Sequence, residues 1–345
     1  MTQAELLAEL HIAVVIPAYE AASTIGAVLE AMPAEVRVVV VVDDGSSDGT
    51  ADVVGQFMRA DPRVILQMHE LNRGIGAAMR TGYRRALDEG AEIIVKMDSD
   101  GQMDAAYLPA LVLPVALGEA DYAKGNRFLR PEALHQMPRL RLIGNAILSF
   151  VTKLSSGYWN LLDPTNGFTA ISRDVLASLA LDRLEDRYFF ESSMLIELQM
   201  LRAVVVDVPI PSRYGSEESH LSVARNAFSF ALKHVRYGVR RVLYRHFLFD
   251  FSPVSLLLAL SLPLLAFGIG FGARSWLRSV LYGTPATAGT VMLAAFTTAA
   301  GAFCLVQALI YDVLSVPQRP LTPPRLARLR RAPAGRVAPY QPADT

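Results

Sequence analysis

The chain of 345 residues holds one cysteine, Cys304, so no disulfide can form within it. That thiol lies in an apolar stretch and is expected to pack as a small hydrophobe. No Gly-x-Gly-x-x-Gly run follows the first apolar segment, Ile12–Ile16, which sets aside a soluble dinucleotide-binding module. His11 and His69 stand without metal-ligand spacing and read as structural. Met1-Thr2-Gln3-Ala4-Glu5-Leu6 carries an acid and no basic stretch ahead of an apolar core, unlike a secretory signal, so the acidic part of the chain is expected in the cytosol. Acidic residues nearly vanish after position 221: residues 222–345 hold 3 Asp/Glu against 14 Lys/Arg, whereas 1–221 hold 30 against 19. A net charge of zero hides this asymmetry.

The basic part is also the most apolar. Charge is absent from Phe251 to Ala273, and after Arg278 none appears until Asp312. Each stretch exceeds the roughly 20 residues needed to cross a bilayer, so two transmembrane helices, about 252–273 and 289–311, are expected within 251–314. A pair of buried core helices is the bland alternative. Arg225, Lys233, Arg236, Arg240, Arg241 and Arg245 precede the first span, and a second arginine group follows the other, which puts both ends on the cytosolic side. Pro263 predicts a kink, and Gly268, Gly270 and Gly272 fit close helix packing, including packing with a second copy as a homo-oligomer. Residues 222–250 mix basic residues with Phe228, Phe230, Val235, Val239, Leu243 and Phe247, a pattern of interfacial amphipathic helices. The tail, 315–345, is rich in Pro, Ala and Arg and is expected to lie unfolded on anionic lipid. The lipid bilayer is thus an expected partner and nucleic acid is not.

Residues 1–221 read as one α/β domain. Short β-branched runs at 12–16, 36–42, 63–66 and 93–97 alternate with helix-like stretches at 23–30, 50–59 and 75–89, which predicts a mostly parallel sheet. Ligands gather beyond the carboxyl ends of such strands. Three polar turns occupy those ends: Pro17-Ala18-Tyr19-Glu20, Asp43-Asp44-Gly45-Ser46 and Asp98-Ser99-Asp100-Gly101. Taken singly, the Asp44–Thr50 run also suits a tight turn with a helix cap, Asn72–Gly76 a helix start, and Asp98-x-Asp100 a cap. An Arg73 beside a helix N-terminus would suit phosphate. Two carboxylates so close at a strand end are costly unless a cation joins them.

Val14-Val15-Ile16-Pro17-Ala18-Tyr19, Asp43-Asp44-Gly45-Ser46-Ser47-Asp48-Gly49-Thr50, Asn72-Arg73-Gly74-Ile75-Gly76-Ala77-Ala78, Asp98-Ser99-Asp100-Gly101-Gln102, Gly125-Asn126-Arg127 and Asp163-Pro164-Thr165-Asn166-Gly167-Phe168 closely resemble the family 2 glycosyltransferases. The likeness is to the branch of dolichyl-phosphate mannose synthases and bacterial polyprenyl-phosphate glycosyltransferases, and it covers roughly residues 10–225. It implies a GT-A fold, a nucleotide-diphosphate sugar donor, Mg²⁺ or Mn²⁺, a polyprenyl-phosphate acceptor and an integral membrane protein with a cytosolic catalytic domain, most naturally in a bacterial inner membrane. It also implies roles. Pro17, Ala18, Tyr19, Glu20, Asp44, Gly45, Arg73 and Asp98 would bind the nucleotide sugar. Asp98, Asp100 and Gln102 would hold the metal, and Arg127, Arg141 and Asn145 the acceptor phosphate. Asp98, Asp100, Arg127 and Arg213 would form the catalytic set, with Arg213 on a loop that closes over the diphosphate. Glu20-Ala21-Ala22 replaces the Asn-Glu-Glu of many relatives, and Ser219-His220 the Ser-Lys of the mannose synthases. Glu191 is either an active-site acid by analogy or a local helix contact.

The reaction so implied is transfer of one sugar with inversion. A phosphate acceptor is mostly ionised near neutral pH and needs no strong general base, whereas a hydroxyl acceptor does, and none stands out in the sequence. Transfer to a hydroxyl on a lipid-linked sugar or polysaccharide, and a non-catalytic membrane scaffold, are the alternatives. The sugar and the base are not legible.

Overall fold

A computed structural model describes residues 7–128, 139–211 and 223–325, with backbone alone for 139–142 and 223–227. The chain divides into two compact units, one containing residues up to Tyr237 together with Pro317 onward, the other Gly238–Val316.

The first unit is built on a seven-stranded sheet. Strands β1 (Ile12–Ala18), β2 (Val36–Asp43), β3 (Val64–Met68), β4 (Ile93–Lys96), β5 (Tyr122–Asn126), β6 (Thr169–Ser172) and β7 (Val205–Pro209) lie in the order β3-β2-β1-β4-β6-β5-β7. Neighbours pair in parallel except where β6 meets β4 and β5. β2 is a run of valines buried at all positions but Arg37, the composition a parallel strand needs when helices cover both of its faces. Helices α1 (Ile25–Glu30), α2 (Thr50–Ala60), α3 (Ile75–Asp88) and α4 (Leu108–Ala116) connect the parallel strands. α3 packs on β1 and β2, and α4 on β4, β5 and β6. The core, which includes Val14, Ile16, Val39, Val41, Ile93 and Val95, lies between sheet and helices.

Because β6 alone runs backwards, its amino end arrives at the edge where β1, β2, β4 and β5 present their carboxyl ends. The turn 163–167 is thereby delivered to the expected ligand edge. Helices α5 (Arg139–Ser156), α6 (Arg173–Ser178) and α7 (Phe190–Leu201) complete the unit, with the amino-terminal part of α8 (Val223–Leu243). α5 packs on α7 and is tied to α8 by Ser155 Oγ and His234 Nδ1, 2.8 Å apart.

Residues 317–325, the described part of the tail that follows Val316, belong to this first unit. Leu321 N and Thr322 N donate to the carboxylate of Asp121 at 2.9 Å, Thr322 Oγ1 at 2.8 Å, and Arg325 N donates to Ala116 O at 2.8 Å. Asp121 has no exposed surface. Its buried charge requires donors, and a segment 200 residues away supplies them, which composition could not disclose.

The second unit holds α9 (Pro253–Tyr282) and α10 (Ala288–Leu314), packed on one another. Both extend past the uncharged windows, and α9 runs on through Pro263. Their most apolar stretches have mean hydropathies of 2.2 and 1.9, and only 22% and 11% of those stretches is buried, so both helices are long and apolar enough to cross a membrane and are little covered by the rest of the chain. Gly268 lies against Thr298 of α10, whereas Gly270 faces open space. Asp312, near the end of α10, is buried and receives both Arg241 Nη1, at 2.7 Å, and Nη2, at 3.0 Å, while His246 Nε2 lies 3.3 Å away.

Candidate active site

β1 carries the first residues of the edge. Pro17 and Ala18 are buried members of the strand, paired with Val42 and Asp43, so Tyr19, half exposed, and Glu20 are the part of that run that meets solvent. Glu20 adopts φ 52°, a left-handed conformation uncommon for a side chain of its size. That turn lets its carboxylate accept from Ser47 N at 2.9 Å and Ser47 Oγ at 3.0 Å, closing the β1 loop on the β2 loop.

At the end of β2, Asp44 is buried. Its Oδ1 accepts from Arg73 N at 3.0 Å and its Oδ2 from Gly74 N at 2.6 Å. His69 Nδ1 reaches the same Oδ1 at 2.6 Å, and its Nε2 meets Thr81 Oγ1 at 2.9 Å. Asp44 therefore fixes the loop that carries Arg73, whose side chain is exposed, and Gly45 stands beside it. The amide groups at the start of α3, which an anion would use, are already satisfied: Gly76 N and Ala77 N donate to Asp186 O at 2.7 and 3.2 Å. A Cβ on Gly76 would sit 1.8 Å from Glu185 O, so only glycine admits the 185–187 loop here. The helix start thus receives a carbonyl from its own chain.

β4 delivers the paired carboxylates. Asp98, Ser99 and Asp100 are partly exposed and Gln102 is exposed. Thr24 Oγ1 donates to Ser99 O at 2.7 Å, and Gln102 N donates to Asp100 Oδ1 at 2.9 Å. Beneath them lies Lys96, a buried lysine. Its Nζ is 2.6 Å from Asp98 Oδ1 and 3.3 Å from Glu191 Oε1 in the first turn of α7. Burial opposes the ammonium charge, but Asp98 and Glu191 outweigh it and hold Lys96 above the ordinary lysine range. Gly167 closes the arrangement from the other side. A Cβ there would lie 2.4 Å from Lys96 Nζ and 2.7 Å from Asp98 Oδ2.

β5 and the 163–167 turn build the neighbouring cationic group. Arg127 Nε donates to Asp163 Oδ2 at 2.8 Å and Nη2 to Oδ1 at 3.1 Å, a fork on a fully buried carboxylate, while a third of the arginine side chain stays exposed. Lys124 Nζ donates to Asn166 O, and burial pushes this lysine down to about 8. Ser149 Oγ of α5 donates to Leu162 O at 3.2 Å, which ties that helix to the same turn. Asn145 lies one helical turn earlier on α5, and the backbone of Arg141 is in the same helix. Arg213 and His220 lie outside the described residues.

The edge thus gathers Tyr19, Glu20, Asp98, Asp100, Gln102 and Arg127, while Pro17, Ala18 and Asp44 act from within. Sequence reasoning passed over Lys96 and Lys124. The available sign was a lysine inside an otherwise apolar strand, Lys96 standing two residues before Asp98 and so on the same face of the strand. Neither of the two readings of Glu191 named this contact, because its partner is 95 positions away.

A family model described as glycosyl transferase family 2 matches residues 13–179. The UDP-N-acetylglucosamine–dolichyl-phosphate N-acetylglucosaminyltransferase of Methanococcus voltae is 30% identical over 188 residues, 51% of this chain and 74% of that protein. The undecaprenyl-phosphate mannosyltransferase of Micrococcus luteus is 32% identical over 188 residues, 54% of this chain and 75% of its own. The fold is that of the GT-A glucosyl-3-phosphoglycerate synthase from Mycobacterium tuberculosis, solved with Mn²⁺, UDP and glucosyl-3-phosphoglycerate, at a TM-score of 0.52 and 21% identity, covering 70% of this chain and 84% of that one. By sequence, the chain belongs to glycosyl transferase family 2.

Proposed function

We propose that the chain transfers a single sugar from a nucleoside-diphosphate sugar to the phosphate of a polyprenol at the cytosolic face of a membrane, inverting the anomeric centre. One observation carries this reading. The turn 163–167 joins a carboxylate pair suited to a donor diphosphate with an arginine suited to an anionic acceptor, in a chain that also holds two membrane-length helices. The acceptors named for the Methanococcus and Micrococcus relatives, dolichyl phosphate and undecaprenyl phosphate, support it.

Asp98 and Asp100 offer hard oxygen donors to Mg²⁺ or Mn²⁺, with Gln102 as a third. Among the described residues no three His, Cys, Asp or Glu side chains converge on one point, so the donor's diphosphate and water would complete the shell. The cation would supply charge to the departing nucleoside diphosphate. Lys96 holds Asp98 in place and offsets its charge before donor arrives. Tyr19, Glu20 and Arg73, with Gly45 and the buried Pro17, Ala18 and Asp44 behind them, shape the nucleotide end. Arg127, seated on Asp163, would orient the acceptor phosphate together with Arg141 and Asn145, and Arg213 would close over the diphosphate. A phosphate oxygen then attacks the anomeric carbon as the bond to the diphosphate breaks. The phosphate is already ionised, with a second pKa of about 6, so no protein base has to take a proton. Alignment and charge stabilisation supply the rate.

The test is transfer of labelled sugar from a panel of UDP- and GDP-sugars to undecaprenyl or dolichyl phosphate by the full chain in detergent, with Mg²⁺ or Mn²⁺ and with EDTA. A metal-dependent, acid-labile glycolipid is expected. Transfer only to a hydroxyl acceptor refutes the phosphate reading, and nucleotide binding without any transfer refutes catalysis.

A further inference from the structure

Beneath Arg127 lies a buried set of charges drawn from three separate elements. Lys124 of β5 is 1% exposed and donates through Nζ to Asn166 O, in the turn that follows Asp163. Its register partner on β7 is Asp207. Asp207 Oδ2 accepts from Asn126 Nδ2 at 2.6 Å and from Leu162 N at 2.7 Å, while Oδ1 is buried with no hydrogen-bond partner among the described residues. Those two donors favour the anion, against the burial that raises the Asp207 carboxyl. Asp163, without exposed surface, takes the fork of Arg127. Glu191 of α7 and Lys96 of β4 also act on Lys124, but they lie 3.3 Å from one another and offset each other. The balance behind the acceptor side is then even, with Arg127 and Lys124 against Asp163 and Asp207. Without the Lys124 charge, two buried carboxylates stand behind one arginine and repel any anion brought to it. Holding a carbonyl needs only a neutral donor, whose burial costs less than that of an ammonium. The charge of Lys124 therefore points to a second task.

We propose that Lys124 is a positioning residue for the acceptor: as an ammonium it fixes the 163–167 turn through Asn166 and cancels Asp207, so that Arg127 presents a net attraction to the acceptor phosphate. The inference rests on the proposed function and deepens it, giving the acceptor side a group that does not itself touch the acceptor. A pH dependence follows. Burial holds Lys124 down at about 8, against the pull of Asp163, Glu191 and Asp207 and with the repulsion of Lys96. Lys124 is charged below that value and neutral above it. A phosphate monoester, with a second pKa of about 6, is already a dianion there, and arginine keeps its charge. Acceptor capture therefore weakens as pH rises through about 8, where the acceptor's own ionisation is complete.

The test compares the full-length parent, Lys124→Met and Lys124→Met/Asp207→Asn in detergent, with circular dichroism reporting folding. Initial rates of transfer to undecaprenyl phosphate, from whichever UDP- or GDP-sugar the donor panel selects, are measured against donor and acceptor separately between about pH 6.5 and 9.5. Methionine keeps the apolar stem, and asparagine at 207 can set its amide oxygen in the Oδ2 place and keep both donors. Lys124→Met is expected to raise the acceptor KM about ten-fold or more, to move the donor KM less than about two-fold, and to abolish the alkaline fall in kcat/KM for acceptor that the parent shows. The double variant restores an even charge balance and is expected to bring the acceptor KM back to within about three-fold of the parent, with no alkaline fall. An unchanged acceptor KM, equal rises in both KM values, or no rescue by Asp207→Asn overturns the proposal, because a lysine that serves only the fold gives the last two. If Lys124→Met does not fold, the double variant and the parent decide, and a parent profile that stays flat through the alkaline range overturns it. A parent that transfers to undecaprenyl phosphate while failing these comparisons loses this proposal alone. A parent that makes no such product with any donor removes the proposed function and this proposal together.

Discussion

Replacing Lys96 by methionine keeps the length and apolar stem of the side chain and removes its charge. Lys96 is 2% exposed and lies between two carboxylates, Asp98 at 2.6 Å and Glu191 at 3.3 Å. Their attraction is large and is partly offset by the cost of burying the ammonium, so the relevant magnitude is that of breaking a buried pair, roughly 3–5 kcal/mol. Without the cation, Asp98 and Glu191 are left as like charges around an apolar stem, and Asp98 loses the partner that holds its position. Chemical denaturation of the full chain in detergent is expected to show a loss of about 3 kcal/mol. Sugar transfer is expected to fall by about 10²–10³ in kcat, the range of a lost preorganised charge. Adding Glu191→Gln should recover about 1–3 kcal/mol through coupling, because only one carboxylate then remains to be offset, while activity stays low. A Lys96→Met variant within about 0.5 kcal/mol of the parent, or a double variant that is merely additive, refutes the assignment of Lys96 as the shared counter-charge.

Gly167→Ala drives a methyl to within 2.4 Å of Lys96 Nζ and 2.7 Å of Asp98 Oδ2; donor affinity, read by calorimetry, should weaken by about ten-fold or more with about 1–3 kcal/mol of lost stability. Asp100→Ala should remove nearly all metal-dependent transfer from a folded protein, and near-normal turnover would sink its place at the metal. Burial lowers His234 from its ordinary 6.5 to about 4, so the native state binds fewer protons than the unfolded one between those values. Stability contributed at this site is then full above about 6.5 and is lost as pH falls toward 4, by up to roughly 3 kcal/mol, and the melting temperature of His234→Phe should depend less on pH across that window. Truncation after Val316 strips Asp121 of its donors from Leu321 and Thr322 while leaving Val204 N, and should cost about 3 kcal/mol or more, seen as a lower denaturation midpoint.

The first half of the sheet was legible because its strands are local apolar runs. β1, β2 and β4 begin within a residue of where the β-branched stretches place them, and α1, α2 and α3 fall between them. The second half was not. β5 reads Tyr-Ala-Lys-Gly-Asn, with no β-branched residue and a lysine at its centre, and β6 is four residues long and antiparallel. Their strand character comes from pairing with each other, of β6 with β4 and of β5 with β7, a long-range cause that local pattern does not carry. The site divides in the same way. Asp98 and Asp100 were singled out because two carboxylates at a strand end are conspicuous by themselves. Asp44 was singled out too, and its carboxylate turns inward, since three donors from the chain converge on it.

What escaped was the compensation beneath the edge. Lys96 and Lys124 sit on strands flanking β6, one holding Asp98 and the other the carbonyl of Asn166. Both groups they hold belong to the loops that bound the ligand edge. On the proposed function, a carboxylate that faces a cation and a diphosphate would need to be held in orientation while the site is empty, and water alone would leave it mobile. A buried ammonium does this without occupying the outer face of the carboxylate, at the expense of a lysine in the sheet. The same reasoning applies to Arg127, whose fork is set by Asp163. Asp98 and Arg127 are thus each backed by an opposite charge, Lys96 from the strand that ends beside Asp98 and Asp163 from the turn before β6, which is why the outer residues are visible as motifs and their pairing with these supports is visible only in the fold.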